Sequence, residues 1–225
     1  MTETLLKLQK AEEKAAVLFQ EIEIKGIIKP GKTEKQINNE VFELAFEMFG
    51  IKKYWHKRIV RAGKNTLHPY DENPENLTVR ENDILFIDFG PIIEDWEADY
   101  GRTYVVGNDL QKIKIMHDAE SIWKNANDYF IKNPDITGAQ LYQYCTILAL
   151  NNGWEYGGPI AGHLIGHFPH EQLESEDKTN YIHPENHLPM NQKDMSGKNR
   201  YWIIEIHLID KKNEIGAFYE QLAGF

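Results

Sequence analysis

The chain is poor in cysteine, and its single cysteine excludes an internal disulfide as a source of stability. The 225 residues contain only Cys145. A protein without disulfides is suited to a reducing compartment. Cys145 lies in an apolar helical pattern at residues 141–150, and that segment contains no histidine or basic residue. Because a reactive thiol needs such a neighbour, we expect a small buried residue here and not a catalytic thiol.

Basic residues are also fewer than acidic ones. The chain has 25 Lys+Arg against 35 Asp+Glu, a formal net charge of -10. This balance disfavours nucleic acid and anionic membrane as the main partner. No apolar run reaches the length of a membrane span, and the acidic N-terminal segment lacks the pattern of a secretion signal. We therefore expect a cytoplasmic protein.

The chain does contain enough apolar residues for a sizeable core. Apolar side chains make up 41% of the sequence and aromatic residues 12%. We expect one domain over residues 1–225. The spacing of apolar residues predicts helices at 3–25, 34–49, 109–132 and 138–152. Thr33 with Gln36, and Thr137 with Gln140, have the spacing of capping boxes at two helix starts.

Strand patterns lie between these helices. We predict a strand at 54–61, two strands joined by a short polar turn within 84–106, and a final hairpin of 201–209 and 215–219. Residues 155–200 are rich in Gly, Pro, His and Asn, which indicates a functional loop region. Helices followed by strands occur twice. The order predicts an α+β fold, with helices covering one face of a curved antiparallel sheet and two pseudo-related halves.

Acidic residues recur within the predicted strands. Asp88 and Asp99 lie among β-branched and aromatic residues, where an isolated charge is costly to bury. The final hairpin adds Glu205 and Glu220, and His163 precedes it. Four carboxylates and one imidazole suit a paired site for Mn, Fe, Co or Zn.

Plainer interpretations of these residues remain open at this point. An acid in a strand is often exposed to solvent or paired with a base, and Arg102 is a candidate partner of Asp99 that needs no metal. His163 by itself is more typical of a loop histidine with an ordinary hydrogen bond. Spacing and composition therefore do not decide between a metal centre and a set of separate ion pairs.

Several motifs occur in a fixed order along nearly the whole chain. They are Lys29-Pro30-Gly31 with Thr33-Glu34, Gly63-Lys64-Asn65 with His68, Asp88-Phe89-Gly90, Asp99-Tyr100-Gly101-Arg102-Thr103, Gly162-His163-Leu164-Ile165-Gly166, His170-Glu171, Glu205 and Glu220. This series resembles the pita-bread metallopeptidase family, which holds methionine aminopeptidases, Xaa-Pro aminopeptidases and prolidases. The resemblance implies a pita-bread fold and a dinuclear metal-dependent hydrolase.

The resemblance also implies a role for each ligand. Asp88 would hold the first of two divalent metal ions (Mn, Co, Fe or Zn). Asp99 and Glu220 would bridge both ions, and His163 with Glu205 would hold the second.

Three residues would act on the substrate by the same resemblance. Glu205 would accept a proton from the attacking water. His170 would stabilise the developing oxyanion, and His68 would contact the substrate backbone near the scissile amide. A peptide substrate is thus implied, and a homodimer is an expectation from the family alone.

The choice of substrate follows from smaller features. The loop with Asn65 and His68, and Leu164 in place of the glycine of G-H-G-I-G, favour an Xaa-Pro aminopeptidase-like enzyme. The single-domain length favours a methionine aminopeptidase. A creatinase-like C–N hydrolase and a non-catalytic binding module of the same fold are further alternatives. The presence of all five ligands favours an enzyme over a binding module.

The sequence departs from the family pattern mainly near its end. Ile206-His207 stands where many relatives have Pro-Gly, and Glu205 and Glu220 are closely spaced. We expect His207 to be a packed or exposed residue. The histidines expected on the surface, for want of a recognisable partner, are His56, His117, His183 and His187. The tryptophans expected mainly in core or rim packing, with a substrate pocket as the alternative, are Trp55, Trp96, Trp154 and Trp202.

Overall fold

Helix starts in the structure follow the capping patterns of the sequence. The computed structural model describes residues 2–169 and 177–224. Its α-helices are Glu3–Ile24 (α1), Glu34–Phe49 (α2), Leu110–Lys132 (α3) and Gly138–Asn151 (α4). Thr33 and Thr137 each accept a hydrogen bond from the backbone N–H three residues on, and Gln36 and Gln140 complete both capping boxes. The four predicted helices and both boxes are confirmed.

The strands form a seven-stranded antiparallel sheet and a small separate hairpin. The strands are Ile59–Ala62 (β1), Ile84–Phe89 (β2), Ile92–Ile93 (β3), Trp96–Glu97 (β4), Tyr100–Val105 (β5), Glu155–Tyr156 (β6), Leu164–Ile165 (β7), Tyr201–Asp210 (β8) and Ile215–Leu222 (β9). The order in the large sheet is β1-β2-β5-β9-β8-β6, with β7 also paired to β8. The β5–β9 contact joins the two halves of the chain.

Side chains alternate between the two faces of this sheet, and the helices cover one of them. Leu85 and Ile87 of β2 pack in one core cluster with α1 and α2. Ile204 and Ile206 of β8 pack in another with α3 and α4. Full burial of one such side chain contributes about 1.5–3 kcal/mol. Each half therefore has two helices on its own strands, as expected for an α+β fold with two related halves.

Two strand predictions need correction. The predicted strand at 54–61 begins only at Ile59, because the segment before it is irregular and its Tyr54 forms an isolated bridge with Pro91 instead. The connection between β2 and β5 is not a short polar turn, since it contains the β3–β4 hairpin. Asp99 consequently lies just before β5, and Glu220 lies inside β9.

None of the helices within residues 2–169 and 177–224 combines the length and hydropathy that crossing a membrane requires.

Candidate metal centre

Four adjacent strands bring three carboxylates into one row on the face opposite the helices. The Cα pairing runs from Asp88 to Gly101, from Gly101 to Glu220, and from Glu220 to Glu205. Strands in a sheet are about 4.8 Å apart, so these side chains are neighbours. Gly101 makes the row possible, because a Cβ there would lie 2.6 Å from the Phe218 ring and 3.0 Å from the Glu220 Cβ.

Asp99 engages a histidine through each of its oxygens. It is 2% exposed and precedes Gly101 by two residues, on the same face. Oδ1 lies 3.0 Å from Nε2 of His56, and Oδ2 lies 3.1 Å from Nε2 of His163. Burial favours the neutral acid, but the two histidines outweigh burial and lower the pKa of Asp99 to about 2. Asp99 is therefore an anion between two imidazoles.

Arg102 is not the partner of Asp99. It lies on the helix-covered face, because it is three residues further along the chain. Its guanidinium stacks 3.7 Å from the ring centroids of Tyr100 and Tyr219. It donates a hydrogen bond to the carbonyl oxygen of Glu220 at 2.8 Å. The ion pair that the sequence left open does not form, and Arg102 instead ties β5 to β9.

His163 is held with its Nε2 facing the carboxylates. Its Nδ1 lies 2.8 Å from the carbonyl oxygen of Leu164, which only accepts. Nδ1 therefore carries a hydrogen, and Nε2 of the neutral ring keeps a lone pair for a metal. Gly162 has a φ of +137°, and a Cβ there would lie 1.9 Å from the carbonyl oxygen of Ile203. Only glycine lets the His163 loop approach β8 this closely.

His56 was expected on the surface, and that prediction is wrong. Its side chain is 7% exposed, and its Nε2 lies 3.0 Å from Oδ1 of Asp99 and 3.6 Å from Oδ1 of Asp88. Burial acts to lower the pKa of His56, but Asp99 and Asp88 outweigh it and raise the pKa to about 9. The segment that fails to continue β1 carries this histidine into the carboxylate cluster.

Two buried oxygens in the cluster accept no hydrogen bond from the described residues. They are Oδ1 of Asp88 and Oε2 of Glu220. Buried oxygens of this kind normally have a partner. Burial raises the pKa of Asp88 and of Glu205 to about 7, and raises that of Glu220 well above its ordinary value. The cluster therefore has an excess of acceptors that a cation would satisfy.

The ligand atoms fall into two groups of three that share Asp99. One group is His56, Asp88 and Asp99, and the other is Asp99, His163 and Glu220. Within each group the ligand atoms all lie within 4.8 Å of one another. Carboxylates with an imidazole suit Mn, Fe, Co or Zn. The residues present thus fit a divalent ion in each group, with one carboxylate common to both.

The structure therefore brings together the residues predicted as metal ligands. Asp88, Asp99, His163 and Glu220 belong to these two groups, and Glu205 pairs directly with Glu220 across β8 and β9. The carboxyl group of Glu205 is buried enough to have a raised pKa.

The two predicted substrate-contacting histidines have different outcomes. His170 lies outside the described residues. His68 follows the 3-10 turn Gly63–Leu67 and is half-buried. Its Nδ1 pairs with the Glu72 carboxylate, so in the described part of the chain it faces the neighbouring loop. Its predicted contact with substrate stays a prediction.

Most of the remaining polar and aromatic residues pack as predicted. His207 is 5% exposed, and its Nε2 donates to the carbonyl oxygen of Thr66 at 2.7 Å. Burial lowers the pKa of His207 to about 4, so it is a neutral packed residue at pH 7. Trp154 and Trp202 are buried in the core. Cys145 is buried too, and burial raises the pKa of its thiol to about 12, as expected for an inert residue.

Trp55 and His56 are the site residues that sequence reasoning missed. The Trp55 ring contacts both histidines edge-on, with centroids 4.5 Å from His56 and 5.1 Å from His163. No spacing rule marks them, because they lie in an irregular segment. The available signal is Gly90, where a Cβ would lie 2.1 Å from Cδ2 of His56. A glycine directly after a strand with a buried acid can indicate a ring packed against the backbone.

A family model matches almost the entire chain. It is the model of metallopeptidase family M24, and it covers residues 7–221. Among curated proteins, an Xaa-Pro dipeptidase of Lactobacillus delbrueckii subsp. lactis is 28% identical over 169 residues, which are 74% of this chain and 45% of that protein. A putative Xaa-Pro aminopeptidase of Mycoplasma genitalium is 28% identical over 73% of this chain and 47% of its own length. The chain spans about half the length of these curated relatives.

Solved structures of the same fold align over nearly all of the chain. A prolidase from Pyrococcus horikoshii aligns with a TM-score of 0.74 and 20% identity, over 99% of this chain and 59% of the prolidase. A methionine aminopeptidase from Thermotoga maritima aligns with a TM-score of 0.68 and 18% identity, over 99% of this chain and 90% of the aminopeptidase. The fold is thus the pita-bread fold that the sequence predicted.

Proposed function

Because this chain belongs to metallopeptidase family M24, we propose that it is a dinuclear metal-dependent aminopeptidase. It removes the N-terminal residue from peptides that carry proline in the second position. The observation that carries the proposal is the pair of ligand groups that share Asp99. A single buried acid common to two groups, with an imidazole on each side, is suited to two ions and not to one.

The five acidic and histidine residues divide between the two ions as follows. Asp88 would hold the first ion, and His163 with Glu205 would hold the second. Asp99 and Glu220 would serve both ions. Support comes from the two oxygens of Asp99, which face different histidines, and from the Asp88 and Glu220 oxygens that lack a hydrogen-bond donor among the described residues.

When bound, two divalent ions supply a nucleophilic water near neutral pH and polarise the scissile carbonyl. Glu205 accepts the proton of the attacking water. His170 stabilises the oxyanion, and His68 orients the substrate backbone.

The preference for proline follows from relatives and from sequence. Curated relatives are named for Xaa-Pro substrates. Leu164 is half-buried directly after His163, where a glycine would leave more room. We propose that the larger side chain at position 164 narrows the substrate site beside His163 and so selects the substrate class.

The test is a substrate panel with metal-loaded protein. The panel contains an Xaa-Pro-Xaa tripeptide, an Xaa-Pro dipeptide, a Met-Ala peptide and creatine, each with Mn²⁺, Co²⁺, Fe²⁺ or Zn²⁺. We expect release of the first residue from the tripeptide and loss of that activity in Glu205→Gln. His117→Ala, which removes an exposed histidine, is the matched control and should retain it. Turnover of none of the four would refute the enzyme proposal.

A methionine aminopeptidase activity is the second candidate, since a methionine aminopeptidase from Thermotoga maritima shares the fold of this chain, with a TM-score of 0.68. Cleavage of the Met-Ala peptide without cleavage of either proline substrate would establish this activity in place of the first.

A further inference from the structure

The ion assigned to Asp88 has an additional nitrogen donor within reach. Nε2 of His56, Oδ1 of Asp88 and Oδ1 of Asp99 surround a common point, with 3.6 Å and 3.0 Å from the nitrogen to the two oxygens. Ligands bound at about 2.0–2.2 Å to one ion are roughly 3.0–3.5 Å from each other. The three atoms therefore already have nearly the mutual spacing of ligands around one ion.

His56 and His163 are oriented by the same type of hydrogen bond, made by Nδ1, which leaves Nε2 facing the carboxylates. Each histidine places Nδ1 2.8 Å from the carbonyl oxygen of the next residue, Lys57 in one case and Leu164 in the other. A carbonyl oxygen only accepts, so Nδ1 keeps its hydrogen in both rings, and Nε2 offers its lone pair once a metal ion displaces the proton there. A hydrogen bond from the second ring nitrogen is typical of histidines that bind metals.

The His56 ring is also held in place by packing. A Cβ at Gly90 would lie 2.1 Å from Cδ2 of His56 and 2.5 Å from Nε1 of Trp55, so both rings lie against the backbone there. Nε1 of Trp55 donates to the carbonyl oxygen of Ala98 at 3.0 Å. The Tyr70 ring contacts His56 edge-on from another side, with centroids 5.8 Å apart. An imidazole fixed in this way is preorganised, as a ligand should be.

We propose that His56 is a sixth protein ligand and binds the ion held by Asp88 and Asp99. The inference rests on the proposed function in needing the dinuclear centre, and it gives the first ion an imidazole, so that each ion then has one. His56 and His163 then occupy equivalent places on the two sides of Asp99. A nitrogen donor at the first ion favours Fe²⁺, Co²⁺ or Zn²⁺ over Mn²⁺ at that position.

A direct measurement on the unmutated protein tests the bond itself. Protein with ¹⁵N-labelled histidine is loaded with ¹¹³Cd²⁺, and one-bond coupling between cadmium and Nε2 is recorded by NMR. We expect two coupled histidines, one lost in His56→Ala and the other lost in His163→Ala. A spectrum with His163 as the only coupled histidine would overturn the proposal and leave His56 as a hydrogen-bond donor to Asp99.

Calorimetric titration with Co²⁺ supplies the second readout. We expect two binding events in the unmutated protein and in His117→Ala. In His56→Ala one event should weaken by roughly 10–100-fold while the other persists. Two unchanged affinities in a folded His56→Ala protein would overturn the inference but not the proposed function. An unmutated protein that binds no Co²⁺ at all would refute both.

Discussion

Asp88 and Asp99 are both buried acids of the same cluster, yet their surroundings differ. Each oxygen of Asp99 faces an imidazole, whereas Oδ1 of Asp88 accepts no hydrogen bond from the described residues. Asp99 thus belongs to both ligand groups and Asp88 to one. Removing the two charges should have unequal consequences for metal binding.

We expect Asp99→Asn to lose both ions and Asp88→Asn to lose one. The asparagine keeps the shape of the side chain and removes the charge that the cations require. Activity of Asp99→Asn should fall by roughly 10³-fold, which is about 4 kcal/mol of transition-state stabilisation. Metal content per chain, measured by plasma mass spectrometry after dialysis, checks the stoichiometry. Equal metal content in the two variants would contradict the assignment of Asp99 as the shared ligand.

Gly162 allows a second test at a single residue. Its φ of +137° and the 1.9 Å approach of a Cβ to the Ile203 carbonyl oxygen leave no room for alanine. We expect Gly162→Ala to lower the free energy of unfolding by about 3 kcal/mol, as strain at a special backbone position does.

Gly153→Ala is the matched control for this substitution. Gly153 also has a positive φ, of +86°, but nothing lies within 4 Å of a Cβ there. Gly153→Ala should lower the free energy of unfolding by only about 1 kcal/mol, from backbone strain alone. Urea unfolding of both variants compares them, and equal losses would show that the contact with Ile203 is unimportant.

The sequence predicts individual ligands where they lie on regular strands or in a recognisable motif. Asp88, Glu205 and Glu220 could be named because they belong to motifs that resemble those of a known family, and the cross-strand register of the structure places them in one row. His56 could not be found in this way. Its position depends on an irregular turn before β1 and on its packing against Gly90, which is distant in sequence.

At the scale of elements, helices were more predictable than strand boundaries. The capping boxes at Thr33 and Thr137 are local in sequence and were recognisable. The β3–β4 hairpin was missed because Glu94 and Asp95 take φ values of +52° and +66° at its two-residue turn. Such turns usually carry asparagine or glycine, so an acidic pair does not signal one.

The cap of α4 gives a prediction at this scale. Thr137→Ala removes the acceptor for the N–H of Gln140, and we expect a loss of about 1 kcal/mol in unfolding free energy. Thr137→Ser keeps the oxygen and should lose much less. Chemical denaturation of the two variants is the measurement, and equal destabilisation would assign the effect to the methyl group of Thr137.

Glu12 connects α1 to β9 and makes this junction sensitive to pH. Its Oε1 accepts from the N–H of Leu222 at 3.0 Å, while its Oε2 is buried with no hydrogen-bond donor among the described residues. Burial raises its pKa from 4.5 to about 8. The folded pKa lies above the unfolded value, so this group's stability contribution is complete below pH 4.5. It is lost as the pH rises towards 8.

Glu12→Gln should remove this pH dependence while keeping an acceptor for Leu222. We expect the variant to exceed the unmutated protein by on the order of 3 kcal/mol at pH 8 and by under about 1 kcal/mol at pH 5. Urea unfolding at the two pH values measures the difference. Glu13→Gln changes an exposed residue of the same helix. Its free energy of unfolding should depend on pH in the same way as that of the unmutated protein. If the free energy of unfolding of Glu12→Gln depended on pH in the same way as that of the unmutated protein, Glu12 would not have a raised pKa in the folded state.

The whole molecule is built so that its two halves meet at a cluster of like charges. The row from Asp88 to Glu205 crosses the β5–β9 joint, and carboxylates from both halves lie side by side. Without cations these groups repel one another or must take up protons. The carboxylates that form the site therefore disfavour the packing of the two halves against each other until metal is bound.

Metal binding should accordingly stabilise the whole fold. At a free metal concentration 100 times the dissociation constant, one bound ion adds about 2.7 kcal/mol. For a chain of this size that corresponds to a rise in Tm of roughly 5–10 °C. Calorimetry with and without a chelator checks it. Asp99→Asn should show no metal-dependent rise, and a chelator-insensitive Tm in the unmutated protein would contradict the coupling.

Trp55 gives this centre an optical reporter of its own. The indole lies edge-on to His56 and His163 at once, so an ion on either imidazole is close to the same fluorophore. Paramagnetic ions such as Co²⁺ quench indole emission at short range, whereas Zn²⁺ does not. Occupancy can therefore be followed in real time from intrinsic emission, without a label. Trp55→Phe removes this fluorophore, and the loss of the Co²⁺-dependent change in emission would identify Trp55 as its source.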